Sequence, residues 1–521
     1  LAPQLYQEGI PVIKDINETT ASISVEYQIT SQNSDGDTEL YDVKEFYRMR
    51  YLDTRIYLLD FQRSANQVFD GKLPVYSDDG IILGVRDKNV EYMMNDSATV
   101  LAFVQEGDLW SYSPGNGKVN QVFSFRKTED GDFRDSRIQH DIKIVRVTDA
   151  GDIDFVLYGY MNRGSHEGYE GIGVYHYNPD KNVAEERAFI PVSESFEFLK
   201  KDLEKLSYVN EENELFLLLA KSLYKINIED NSSEVLEEGI KNANFVSSDN
   251  NDHAAWLVSE GDEKGNIKEI NFDTGETRLI EHEKGKRLRA VGFMNEDLIY
   301  GILNKSDILT DEDGHKSEGI SILRIEDFDG NVKKEYQKDG LYITDISVGS
   351  TLIEFELSAK SGDTSYVAQK KDNIMNNKKA TENTVKIELV SASRTGVRVK
   401  LALNGTAQTD SPLTMYAKVS STNQKDIVLD TQIPQESTYY VYGQGGLDSI
   451  YTDPAKAILQ ADALGGVVLN RAQQYIWERG NKKTKTQMDT AELPEAILAG
   501  TMDIKTLKKS VKKTGTVIDL T

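Results

Sequence analysis

The chain has no cysteine. That excludes disulfides, thiolate zinc sites, iron–sulfur clusters and a cysteine nucleophile among these residues. No apolar run approaches 18 residues, so no segment reads as a membrane-spanning helix. Basic residues are the minority: 60 Lys and Arg stand against 86 Asp and Glu, a formal charge of −26. Phosphate binding rests on clustered Lys and Arg, so this balance argues against a nucleic-acid partner and suits a soluble exported protein. None of the six histidines forms a His-x-x-x-His pair, and no Gly-x-Ser-x-Gly elbow occurs. No cofactor is expected, and no catalytic constellation is visible. At 521 residues the chain is long enough to bury a large core without covalent staples.

What is present is a repeat. A short apolar strand runs into a polar turn and then a second short strand. Ile56–Phe61, the turn 62–66 and Gln67–Phe69 form the first copy; Leu109–Tyr112, the turn 113–118 and Val119–Phe123 form the second. Asn66-Gln67-Val68-Phe69 and Asn120-Gln121-Val122-Phe123 repeat the same four residues. Further copies centre on Tyr175, Tyr224, Lys268 and Leu323, with a degenerate seventh near Val367. The period is about 45 to 65 residues, room for the four short strands of one propeller blade. A blade cannot bury both faces alone, so its copies must stack around an axis. The expected fold is mainly β: a β-propeller over residues 20–380, of seven blades with six or eight as alternatives, after an N-terminal extension 1–19. One helix, Ser193 to Leu206, interrupts the strands with Phe196, Leu199, Leu203 and Leu206 on one side.

Residues 381–440 read as a β connecting segment or closing strands, and 441–521 as a small α+β C-terminal region. A helix is expected from Thr452 to Leu464, capped by Thr452 or Asp453 with Pro454 in its first turn. A β-hairpin from Val467-Val468-Leu469 to Tyr475–Arg479 follows, then helical stretches at 493–499 and 504–513. The basic run from Lys482 to Lys513 reads as a solvated helix face.

Several segments resemble a known group. They are Tyr440-Val441-Tyr442-Gly443-x-Gly445-x-Leu447-Asp448, Ala457-Ile458-x-x-Ala461-Asp462-x-x-Gly465-Gly466-Val467-Val468 and Gln474-Tyr475-Ile476-Trp477-Glu478-Arg479-Gly480-Asn481, together with Glu45–Tyr51. The combination is similar to surface proteins of Gram-positive bacteria in which a β-propeller precedes a papain-like domain of the bacteriocin-processing peptidase type. The resemblance implies a papain-like region from about residue 440, truncated at Thr521, and an extracytoplasmic, cell-surface location with an N-terminal anchor that processing would remove. With no cysteine to match, no catalytic residue carries over.

The candidate ligand-binding residues are Trp110, Trp256 and His166. The two tryptophans could form an aromatic platform, although blade packing explains them as well. His166 lies in the glycine-bounded loop Gly164-Ser165-His166-Glu167-Gly168. Acidic loops at 35–37, 129–132, 149–154 and 311–314 could offer oxygen ligands to calcium, with Asp311 and Asp313 the metal candidates. The last loop fails the EF-hand pattern, with Leu309 at its first position and Ile320 at its twelfth. Ordinary turn chemistry accounts for each. The expected function is a non-enzymatic, extracytoplasmic propeller scaffold binding a protein or glycan. The alternative is the regulatory or substrate-binding part of a papain-like cysteine peptidase whose catalytic residues lie outside this chain.

Overall fold

The computed structural model describes residues 2–126, 132–136, 138–194, 196–241, 244–259, 264–310, 316–349, 351–376, 385–405, 413–421, 426–429, 438–470 and 474–478. Its contacts divide the chain into two units. The larger holds the described residues of 1–10, 26–44 and 63–434; the smaller holds 11–25, 45–62 and the described residues from 438 onward.

Besides a sheet of the strands from Gln4–Gln7 to Arg55–Gln67 and the two-stranded pair Ile308–Thr310 with Lys316–Glu318, the described residues from 76 to 421 form seven mainly antiparallel sheets. The second is built from Tyr92–Met94, Leu101–Gln105, Asp108–Ser113 and Lys118–Phe123, and the third from His140–Val147, Ile153–Tyr160, Glu170–Asn178 and Val183–Pro191. Ser207–Val209, Glu214–Leu219, Ser222–Asn227 and Ser233–Glu237 make the fourth; Phe245–Ser247, His253–Leu257, Ile267–Asn271 and Thr277–Ile280 make the fifth. The sixth comprises Lys286–Met294, Asp297–Asn304, Ile322–Glu326 and Val332–Gln337. The seventh has three strands: Tyr342–Val348, Leu352–Ser361 and Ser365–Met375. Each is a meander of neighbouring strands, as the hairpin turns predict.

The repeat copies at Tyr112, Tyr175, Tyr224, Lys268 and Leu323 fall on the third and fourth strands of the second to sixth sheets. The first copy departs from expectation. Arg55–Gln67 is one continuous strand through the expected turn, and its Ile56 and Leu58 are 65% and 59% exposed. Alternation makes it a strand, but most of its apolar side chains are exposed rather than covered as a blade's would be.

The first sheet takes its strands from distant parts of the chain. Tyr76–Ser77 and Gly80–Ile82 pair with Val385–Ala392 and Gly396–Leu403, with Lys400 opposite Ile82, Leu401 opposite Ile81 and Ala402 opposite Gly80. Gly80 is required there: a Cβ would lie 2.0 Å from the Leu401 carbonyl oxygen. Two later strands add to the second and third sheets. Leu413–Tyr416 adds a parallel strand beside Lys118–Gln121, and Lys418–Ser421 does the same beside Val183–Glu186.

Six buried apolar clusters hold consecutive sheets together, from first-to-second through sixth-to-seventh. Strands caught between two neighbours are apolar on both faces, which is why Leu215–Leu219 reads as an unbroken run. Among the described residues no such cluster joins the seventh sheet to the first. The expected helix is present as α1, Phe196–Leu203, and buries Leu199 and Leu203 between the third and fourth sheets.

In the smaller unit, Gly446–Tyr451, Tyr439–Gly443, Val467–Asn470 and Tyr475–Glu478 form a four-stranded antiparallel sheet in that order. Helix α2, Pro454–Leu464, packs Ala457 and Ala461 against Val441 and Val468. Asp453 caps it by accepting from the Ala455 and Lys456 amides, and Gly465 ends it at φ 64°. The hairpin and cap expected from the sequence are therefore in place. The helical stretches and basic run expected beyond residue 481 lie outside the described residues.

Candidate functional site

A polar cleft of about 710 Å³ opens where the first three sheets meet. The chain leaving the first sheet supplies Arg86, Asp87 and Glu91, and the turn between two strands of the second supplies Glu106. His140, Asp141 and Lys143 come from the first strand of the third sheet, and Phe196, Lys200 and Glu204 from the α1 region. Lys143 donates to Glu91 at 3.1 Å, and Lys200 to Asp141 at 2.6 Å. Burial raises the Glu91 pKa despite the Lys143 charge beside it.

Behind the cleft three carboxyl groups surround one guanidinium. Arg126 reaches Asp42 at 2.9 Å and Asp108 at 3.1 Å, and its Nη1 donates to the Asp135 carbonyl at 2.9 Å. Glu106 accepts from the Asn66 amide at 2.5 Å through one oxygen, and its other oxygen is buried without a hydrogen-bond partner among the described residues. Burial, then the Asp42 charge, pushes the Glu106 carboxyl up to about 8, so it holds a proton at neutral pH. Burial lifts Asp108 to about 6 against the pull of Arg126. One cation cannot neutralise three carboxylates in a buried site, and the retained proton halves the excess negative charge.

His140 is buried, packs edge-on against Phe125 at 4.8 Å and shares a 3.1 Å hydrogen bond with the Gly107 carbonyl through Nε2. Burial drops its pKa to about 4, so the ring is neutral and Nε2 is the donor. The cleft thus offers paired charges of both signs and a neutral imidazole. Among the described residues no group of three His, Asp or Glu side chains could hold a metal ion.

The residues singled out from sequence lie elsewhere. Trp110 and Trp256 are each 1% exposed. Trp110 wedges against Phe69 at 4.9 Å in the first-to-second cluster, and Trp256 packs in the fourth-to-fifth. Both therefore follow the packing reading, with no face open as a platform. His166 stacks on Phe189 at 3.6 Å between ring centres and meets Glu186 at 3.0 Å. Glu186 also accepts from Tyr175 and Ser421, so His166 belongs to a clasp holding the added strand 418–421. Asp311 and Asp313 lie outside the described residues.

The described residues of the other acidic loops act in turns and ion pairs, while 129–131 lie outside the described residues. Asn33, with Asp37, closes the 33–37 turn, Asp132 pairs with Arg134 and Arg163, and Asp154 with Arg146 and His176. The cleft residues escaped sequence reading because no motif links positions 91, 106, 140 and 200. The acid-rich turn Gln105-Glu106-Gly107-Asp108 was the one available signal.

No protein-family model and no curated protein matches the chain. Solved structures similar to it include Porphyromonas gingivalis dipeptidyl peptidase 4, at 9% identity over 61% of this chain and 58% of that one, TM-score 0.29. Pyrococcus horikoshii acylaminoacyl peptidase aligns at 10% identity over 73% and 55%, TM-score 0.28. The β-propeller domain of the Trilobed protease from Pyrococcus furiosus aligns at 9% over 72% and 100%, TM-score 0.26. The chain spans a little over half the length of the first two. Superpositions this loose transfer neither a site nor an activity.

Proposed function

We propose that the seven sheets form a seven-bladed β-propeller scaffold without catalytic activity of its own, which binds a protein or glycan partner in the polar cleft. The carrying observation is the first sheet, whose strands come from residues 76–82 and 385–403. A sheet assembled from both ends of a repeat array is what ring closure requires, because it ties the last repeat to the first. The cleft lies where loops of adjacent sheets converge, the usual place for binding on a rigid scaffold. An extracytoplasmic location fits the charge of −26 and the cysteine-free composition.

Two experiments test this. The chain has no cysteine, so spin labels can be placed cleanly at Lys371→Cys and Lys386→Cys, on the seventh and first sheets. A closed ring gives a distance distribution matching that of a Ser233→Cys and Thr277→Cys control pair on the adjacent fourth and fifth sheets. A broad, longer distribution overturns closure. A glycan array and a pull-down with the full chain test binding. A partner lost on Lys200→Ala substitution supports the cleft, and silence in both assays refutes it.

A further inference from the structure

The outer rim of the larger unit carries a feature the cleft does not explain. The seventh sheet has three strands, whereas each of the first six has at least four. Its outermost strand, Ser365–Met375, is eleven residues long with no strand beside its outer edge among the described residues. Val367 and Met375 on it are 49% and 70% exposed. Elsewhere this chain fills such edges itself: 413–416 and 418–421 add parallel strands outside the second and third sheets. Outer edges of this architecture therefore accept an added strand.

The two outer strands are each net positive, with Lys370 and Lys371 against Asp372 and Lys333 and Lys334 against Glu335, although Glu356 of the neighbouring strand stands opposite Lys371. In a chain of net charge −26, Lys370 and Lys371 lie on the edge strand, and Lys333, Lys334 and Lys338 lie on or just after the outer strand of the sixth sheet. Lys333 pairs with Asp327 at 2.6 Å. The Lys338 ammonium comes within hydrogen-bonding reach of Lys370, and that contact lowers the Lys370 pKa. Asp372 accepts from Tyr336 at 2.8 Å and from Lys338 at 3.4 Å, and Glu335 is taken by Arg324. Lys334 and Lys371 make no ion pair among the described residues. Two ammonium groups held side by side on an exposed edge are stabilised by an anion placed between them.

We propose that the outer edge of the seventh sheet binds an acidic, extended polypeptide segment as an added β-strand. Main-chain hydrogen bonds would supply the pairing, and the lysines would select for Glu or Asp on alternate residues of the guest. Lysines on an edge also guard a solvated strand against aggregation. The two roles differ in outcome: a guard repels all added strands, whereas a docking edge discriminates by charge.

The test uses the full chain and three fluorescein-labelled peptides: a Val-Glu alternating octamer, its Val-Lys counterpart, and the Val-Glu octamer N-methylated at alternate residues. Saturable anisotropy for the Val-Glu peptide alone, with new hydrogen-exchange protection over 365–375, is the expected result. Lys370→Glu with Lys371→Glu should weaken that binding at least tenfold while leaving the circular dichroism unchanged. Equal binding of the N-methylated peptide overturns strand addition, since charge attraction alone would explain it. No saturable binding, or affinity unaffected by the double charge reversal, overturns the proposal.

Discussion

Asp42, Glu106 and Asp108 share the single guanidinium of Arg126, and a proton held by Glu106 keeps that arrangement tolerable. The folded pKa of Glu106, about 8, exceeds its ordinary carboxylate value, so between roughly pH 4.5 and 8 the folded state binds more protons than the unfolded one. Stability from this group therefore falls as pH rises through that window. Asp108 acts in the same direction between its ordinary value and about 6. His140 acts in the opposite direction. Its folded pKa of about 4 lies below the ordinary imidazole value, so acidification from about 6.5 to 4 destabilises the fold. Glu106→Gln should keep the Asn66 contact, because the amide oxygen can accept as the carboxyl does, while removing the titration. The expected outcome is a Tm that falls less between pH 5 and 9 than that of the parent, read by thermal unfolding across that range. An unchanged pH profile would remove Glu106 from this role.

At the scale of single elements, the cores between sheets and the added strands should dominate stability. Trp110 is 1% exposed in the first-to-second cluster, so Trp110→Ala should cost about 3 to 5 kcal/mol in urea unfolding. Ile427 inserts into the third-to-fourth cluster from the segment that follows the added strands, at 3% exposure. Ile427→Ala should cost about 2 to 5 kcal/mol by the same measurement. A loss below about 0.5 kcal/mol would mean that the segment lies on the sheets without stabilising them. Gly80→Ala places a methyl against the Leu401 carbonyl and should separate the two halves of the first sheet. Limited proteolysis near residues 76–82 should then accelerate.

These elements also show what periodicity can and cannot report. The hairpins of the second to sixth sheets were legible because alternation and turn residues are local properties of five to fifteen residues. Arg55–Gln67 has the same alternation, yet its apolar residues are exposed. A period of two identifies a strand and says nothing about what lies above and below it. The first sheet was illegible for the converse reason: Tyr76–Ser77 and Gly80–Ile82 are too short to carry a pattern, and their partners lie some three hundred residues away.

At the scale of the whole molecule, stability in a series of repeated sheets is a sum of intrinsic and neighbour terms. The fourth and fifth sheets have a buried cluster on either side, whereas the seventh has one. Native-state hydrogen exchange should therefore be slowest in Glu214–Leu219 and His253–Leu257, and faster in Leu352–Ser361. Equal protection throughout would indicate a seventh-to-first seam packed as strongly as the other six.

The sequence by itself determined that this is a mainly β, repetitive, acidic chain without thiol chemistry, because composition, alternation and turn residues act over short stretches. Tertiary structure alone decided that Trp110 and Trp256 are packing residues and that His166 clasps an added strand. It likewise decided that residues 91, 106, 140 and 200 share one cleft. Each of those outcomes depends on which sheet lies against which, and that is set by contacts between residues far apart in the chain.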